Sequence, residues 1–165
     1  MATLDDVMRW SYGVLLFPSE QNWREAIARI SHEVELIVAV GRADPPLAHP
    51  GPAHFAEVTL EPHELTRGLR MALRQDPHVI TLSSPGDLET AELVLHAGVT
   101  GSLVFINTNT SNLEAMLTPF FAHDRTLLAA SNLAAITSGV WVASATQRDA
   151  ISGGATVSEV LAITN

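Results

Sequence analysis

The stretch LRMALRQDPHVITL, residues 69–82, contains the helix-to-strand step on which the prediction of the fold rests. Leu69 and Leu73 continue an apolar stripe of helical spacing. Asp76-Pro77 ends that helix, because proline cannot continue a helix and disfavours helical backbone in the residue before it. Residues 79–82 (VITL) then have the length and composition of a buried strand. A helix followed by such a strand is typical of an α/β protein with a mostly parallel sheet.

The same alternation runs along the rest of the chain. Further strands are predicted at residues 13–17 (GVLLF), 34–40, 55–60 and 103–106, and a final hairpin is predicted from residues 139–144 and 156–163. Residues 43–52 contain four prolines and are predicted to be a surface loop. One domain, spanning residues 1–165, is expected.

Five helices are predicted from their apolar stripes and their caps. The first carries Trp23, Ile27 and Ile30 on one face. The second starts near Pro62 with the stripe Leu65, Leu69 and Leu73. The remaining three run from an N-cap at Asp87 to a terminal glycine at Gly98, from a Ser111–Glu114 capping box toward Phe120, and from Asp124 with Leu127, Leu128 and Ile136.

Composition excludes several classes of protein. The chain has no lysine and no cysteine, and nine arginines stand against 18 acidic residues, for a net charge of -9 and a pI near 5.1. Such a charge repels nucleic acid and anionic membranes. The acidic start of the chain does not resemble a secretory signal, and no apolar run approaches the about 20 residues of a membrane span. A cytoplasmic protein without an integral membrane segment is expected.

Residues 57–105 carry a resemblance to a known family. The segments LRMALRQDPHVI (69–80), DLETAEL (87–93) and TGSLVF (100–105) resemble, in order and spacing, the C-terminal motor domain of type IV pilus retraction ATPases and type II secretion ATPases. Weaker similarity extends to residues 13–17 and 153–164. The resemblance implies a RecA-like, P-loop NTPase-type three-layer α/β fold with a mostly parallel central sheet and a C-terminal β-hairpin.

The phosphate-binding loop of the family is not retained. A P-loop requires glycine-rich backbone, a lysine that reaches the phosphates and a hydroxyl that holds magnesium. Residues 18–26 (PSEQNWREA) have no glycine, and Arg24 or Glu25 takes the lysine position, beside Trp23. We interpret Arg24 as a solvated helix arginine beside Glu20 and Glu25, and we hypothesise that Trp23 fills the space of the nucleotide phosphates.

The other functional positions implied by the resemblance have changed as well. Ser84 stands in place of the family's Walker B glutamate, and Asp87 is explained as an N-cap. Asn109 replaces a histidine, Ala43 replaces the glutamate before Asp44-Pro45, and Ala56 and Leu60 replace two arginines. Trp23, Arg24, Glu25, Ser84, Asp87 and Asn109 would therefore mark a vestigial nucleotide site, with no catalytic residue and no cofactor.

A metal site is not expected either. His49, His54 and His63 lie in or near the proline-rich loop, and His63-Glu64 begins a zinc-protease-like pattern whose last position is Arg67 instead of histidine.

Three functions remain open from the sequence. The first is a catalytically inactive pseudo-ATPase that acts as a scaffold or regulatory module for a protein partner of pilus or secretion machinery. The others are a non-hydrolysing nucleotide or small-molecule sensor that uses Asn107 and Asn109, and a weak ATPase with an atypical phosphate-binding arginine. No counterpart of the motors' N-terminal PAS-like domain is expected, and a monomer or dimer is therefore expected rather than a hexamer.

Overall fold

The computed structural model describes residues 12–30, 36–41, 47, 54–58, 64–121, 133–137 and 140–143. Its strands are β1 (Gly13–Phe17), β2 (Leu36–Val40), β3 (His54–Val58), β4 (Val79–Leu82), β5 (Leu103–Asn107), β6 (Leu133–Thr137) and β7 (Val140–Ala143). Its helices are α1 (Glu20–Ala28), α2 (Leu65–Leu73), α3 (Leu88–Thr100) and α4 (Leu113–Phe121).

The described strands form one sheet in the order β3-β2-β4-β5-β1-β6-β7. All neighbouring strands are parallel except β6 and β7, which are antiparallel. In β1, β4 and β5 every residue is buried, as expected for central strands covered on both faces. The predicted mostly parallel α/β sheet is confirmed.

Helices cover both faces of the sheet. Alternate residues of the strands, such as Val14, Leu16 and Ile80, form one apolar cluster with buried side chains of α2, α3 and α4. The intervening residues, such as Leu15 and Phe105, are equally buried and point to the opposite face, where α1 packs on β1 and β5. The three-layer arrangement predicted from the sequence is therefore present.

Helix α3 is longer than predicted. It continues through Gly98 to Thr100 and ends at Gly101, whose φ of 121° favours glycine. Gly98 has a packing role instead, because a Cβ there would lie 3.0 Å from Val14 Cγ2 and 3.3 Å from the backbone carbonyl carbon of Gly13. The prediction that Gly98 ends the helix was wrong. This glycine lies inside the helix, where the absence of a side chain permits close packing on β1.

The start of α4 also differs from the prediction. The helix begins at Leu113, and the Oδ1 atom of Asn112 accepts a hydrogen bond from the N–H of Ala115 at 2.9 Å. Asn112 therefore occupies the N-cap, one residue after the predicted Ser111. Both residues favour this position, and the three-dimensional path of the chain decides between them.

The C-terminal part of the sheet differs most from the prediction. Ile136 was assigned to a helix, but it lies in β6, which pairs with the central strand β1 and with β7. The predicted strand at residues 139–144 corresponds to β7, and its antiparallel neighbour is β6 across a two-residue connection. The missed signal was Ser138-Gly139, a dipeptide suited to a tight hairpin.

Several other predictions fall outside the described residues. These are the ends of the predicted strands at 34–35 and 59–60, most of the proline-rich loop, the helix start at Pro62, the helix from Asp124 with Leu127 and Leu128, and the strand at 156–163.

Candidate functional site

The connection between β1 and α1 lies where the resemblance places the phosphate loop. Phe17 ends the strand and Glu20 begins the helix, so that two residues, Pro18 and Ser19, join them. Ser19 is the N-cap, and its hydroxyl accepts a hydrogen bond from the N–H of Asn22 at 3.2 Å. An anion-binding nest needs free N–H groups in a glycine-rich turn, which this short capped connection does not supply.

Within α1, Arg24 and Glu25, to which the resemblance assigns the lysine position, and the neighbouring Trp23 point in different directions. Trp23 is 1% exposed, and its indole N–H donates to the carbonyl oxygen of Phe105 on β5 at 3.3 Å. Arg24 lies near the surface, where its Nε and Nη2 atoms donate to Glu20 Oε1 at 2.9 and 2.8 Å. Glu25 is exposed and accepts from the side-chain amide of Gln21 at 3.1 Å. Arg24 was expected to be a helix arginine beside Glu20 and Glu25, and the structure shows that it forms an ion pair with Glu20.

The chain after β4 forms a turn that leads into α3. Ser84 Oγ accepts from the N–H of Gly86 at 3.3 Å. Asp87 is the N-cap of α3, as predicted, and its Oδ1 atom accepts from the N–H of Thr90 at 2.9 Å. The hydrogen bond from this N–H, followed by that from the Thr90 hydroxyl, lowers the pKa of Asp87 below its ordinary value. Asp87 is exposed and ionised, and the capping box explains its position fully.

The end of β5 supplies amide and hydroxyl groups. Asn107 is 3% exposed, and its Oδ1 atom accepts from the N–H of Asn109, whose φ of 55° is in the left-handed region. Thr108 donates its hydroxyl hydrogen to the carbonyl oxygen of Phe17 at 2.7 Å, which ties the end of β5 to the end of β1. Sequence reasoning missed Thr108, although the polar run NTNT directly after an apolar strand was visible.

These three segments lie at the carboxyl ends of neighbouring strands, on one side of the sheet. Because β4, β5 and β1 are adjacent and parallel, their carboxyl ends place Ser84, Asn109 and Ser19 on the same side, where open α/β sheets bind ligands. The structure therefore brings together the three segments that the sequence assigned to a vestigial nucleotide site. The described side chains there are mostly neutral hydrogen-bonding groups that already bond to neighbouring backbone or to each other.

The structure describes only some of the other candidate positions. Ala56 and His54 lie in the edge strand β3, whereas Ala43, Asp44, His49, Leu60 and His63 are outside the described residues. Among the residues that the structure describes, no group of three histidine, aspartate or glutamate side chains could hold a metal ion. None of the helices in the described ranges is long and apolar enough to cross a bilayer.

Comparison with known proteins supports the resemblance. No protein-family profile matches the chain. The chain is 49% identical over 47 residues to "Type II secretion system protein E" of Aeromonas hydrophila, covering 27% of this chain and 9% of that protein. It is 27% identical over 126 residues to "Type II secretion system protein HxcR" of Pseudomonas aeruginosa, covering 72% of this chain and 26% of that protein. The matches thus span about a quarter or less of these curated relatives.

Solved structures share the fold at low identity. The ATPase DotB of Legionella pneumophila aligns with a TM-score of 0.60 and 14% identity, over 98% of this chain and 53% of that one. The pilus retraction motor PilT with bound ADP aligns with a TM-score of 0.56 and 20% identity, over 79% of this chain and 43% of that one. The chain therefore has the RecA-like fold of P-loop ATPases. It is homologous to the ATPases of type II secretion systems and, with 46% identity over 50 residues, to the "Type IV pilus assembly ATPase PilB" of Acinetobacter baylyi.

Proposed function

We propose that this protein is a catalytically inactive pseudo-ATPase that works as a protein-interaction, scaffold or regulatory module. The observation that carries the proposal is the two-residue connection between β1 and α1. An ATPase of this fold needs a glycine-rich loop and a lysine at that point. Here the chain has no lysine anywhere, and the first turn of α1 presents the carboxylate of Glu20, which would repel a phosphate.

The electrostatics of the site support the same conclusion. Catalysis of phosphoryl transfer is almost entirely positioning and stabilisation of negative charge, and one arginine finger contributes about 10³ to 10⁵ in rate. Arg24, the cationic candidate for the lysine position, already forms two hydrogen bonds with Glu20. Ser84 bonds to backbone and Asp87 caps a helix, so neither is positioned to hold magnesium or to orient water.

The proposed role follows from what has been retained. The apolar strands, the helix caps and the residues that end the helices and strands maintain the fold. The residues at the positions where the resemblance implies phosphate binding are of other types. Curated relatives are named as secretion and pilus assembly ATPases, which supports a protein partner from such machinery. We place the protein in the cytoplasm, as a monomer or dimer, which size-exclusion chromatography with light scattering would test.

The deciding experiment measures phosphate release and calorimetric binding of ATP and ADP with magnesium. The Vibrio cholerae type II secretion system ATPase E serves as the positive control under the same conditions. We expect no release above the buffer rate and no binding at millimolar nucleotide. Turnover comparable to the control would overturn the proposal, and binding of ATP or ADP without turnover would favour the sensor.

A matched pair of variants identifies the source of any turnover. Arg24→Ala removes the cation at the lysine position, whereas Arg29→Ala removes a cation from the end of the same helix. Loss of turnover in Arg24→Ala alone would establish the atypical ATPase. If neither variant changes a measured rate, a contaminating ATPase is its source.

A further inference from the structure

The solvent-facing side of α2 has an unusual charge for this protein. Arg67, Arg70, Met71 and Arg74 follow the spacing i, i+3, i+4 and i+7, which places them on one face of the helix. All four are exposed, with the side chain of Arg67 76% exposed and Met71 44% exposed. We call these four residues the Arg–Met face.

This face concentrates arginines on an acidic protein. Five of the nine arginines lie in the described ranges, and three of those five belong to the Arg–Met face. The net charge of the whole chain is -9. A local cationic surface on such a protein directs an acidic partner to one place, because charge complementarity fixes orientation and raises the rate of association.

The arginines of this face are available to a partner. Arg74 forms no ion pair with any described residue. Arg67 lies 3.8 Å from Glu64, and Arg70 pairs with Glu89 of α3. Arg67, Arg70 and Glu89 are exposed and Glu64 is half-buried, and surface ion pairs of this kind contribute only about 0–1 kcal/mol. A partner's carboxylates can therefore replace them at small cost.

Each partner of the ion pair between α2 and α3 has an exposed apolar neighbour along the chain. Met71 follows Arg70 in α2, and Leu88, which is 56% exposed, precedes Glu89 in α3. Within the described residues, Met71 and Leu88 are two of the three large hydrophobic side chains that remain exposed. Arginine and methionine are enriched in protein interfaces, where apolar contact accompanies charge pairing. Nucleic acid would satisfy the arginines but leave Met71 and Leu88 without an apolar partner.

We propose that the Arg–Met face, extended by Leu88, docks an acidic amphipathic helix of a protein partner. Carboxylates of that helix pair with Arg67 and Arg74, and its apolar side chains cover Met71 and Leu88. The proposal rests on the proposed function as an interaction module, and it names the chemistry of the segment that the module binds.

The test uses fluorescence anisotropy with the full chain and a labelled synthetic helix that carries glutamates on one face and leucines on the other. We expect saturable binding that weakens as salt rises. Arg74→Glu should weaken binding about tenfold, as expected for the loss and reversal of one complementary charge. Met71→Ser should weaken it several-fold without changing the salt dependence.

Arg29→Glu is the matched control. Arg29 and Arg74 are both C-cap residues, of α1 and α2 respectively, so each substitution changes charge by the same amount at an equivalent helix position. The two helices lie on opposite faces of the sheet. Arg29→Glu should change the affinity less than about twofold, because a screened charge on the far face of the protein interacts weakly.

Four results would overturn the docking proposal. The first two are an absence of binding by the synthetic helix and equal effects of Arg74→Glu and Arg29→Glu on its affinity. The third is Arg74-dependent binding of labelled polyuridine RNA that is tighter than binding of the synthetic helix. The fourth is that Arg74→Glu dissociates a dimer of this chain. ATP turnover is measured on the same preparation. Turnover would overturn the pseudo-ATPase proposal, whereas failure of the synthetic helix to bind an inactive protein would overturn only the docking proposal.

Discussion

Trp23→Ala should destabilise the protein strongly, because the indole belongs to the buried layer between α1 and the sheet. Trp23 is 1% exposed and donates a hydrogen bond to Phe105. A buried tryptophan removes about 150–250 Å² from water, worth about 4–6 kcal/mol at 25 cal/mol per Å², and measured Trp→Ala losses are about 3–5 kcal/mol. We expect a loss in the range of about 3–5 kcal/mol.

Urea denaturation followed by circular dichroism measures this loss. Fluorescence is less suitable because the chain has three tryptophans and the substitution removes one of them. With a denaturant slope of about 2 kcal/mol/M, the midpoint should fall by roughly 1.5–2.5 M. Trp23→Phe is the control, because it keeps most of the apolar volume and loses the indole N–H. A loss below about 1 kcal/mol for Trp23→Ala would refute the reasoning, since it would place the indole in a hydrated space.

Three further substitutions test other features of the fold. Asp87→Ala should cost about 0.5–2 kcal/mol at pH 7. In a urea titration repeated across pH, this cost should shrink as pH falls from the ordinary carboxyl range through the lowered pKa, and a pH-independent cost would contradict the capping account. Thr81→Val should stabilise by about 1 kcal/mol in thermal unfolding, because the buried Oγ1 atom of Thr81 has no hydrogen-bond partner within the described structure; a clear loss would reveal one. Gly98→Ala should cost about 1–3 kcal/mol despite the helix propensity of alanine, and the cost should be smaller in a Val14→Ala background, where an unchanged cost would contradict the proposed contact.

The local elements were predicted well where one signal dominates. β1 and β4 begin and end as predicted, because a short apolar run bounded by proline, glycine or serine has few alternatives. Asp87 was identified as a cap because capping depends on hydrogen bonds within one turn of chain. The pairing of Arg24 with Glu20 is equally local, since residues four apart share a helix face.

Elements that depend on distant partners were predicted less well. Gly98 and Gly101 are both plausible helix ends in sequence, and only the approach of α3 to β1 shows that Gly98 is needed inside the helix. Ile136 fits an amphipathic helix by spacing, but pairing beside β1 makes it part of a strand. Thr108 gained its role only because β5 and β1 are adjacent.

The sequence by itself therefore determined the alternating α/β pattern, the acidic charge and the absence of lysine, since each depends on residue type and short-range spacing. Only the tertiary structure decided that Trp23 lies buried against the sheet, that Thr108 bonds to the end of β1 and that the arginines of α2 are exposed beside Met71. Hydrogen bonds within a turn can be inferred from neighbours along the chain, whereas burial and surface charge depend on which distant segments the fold brings together.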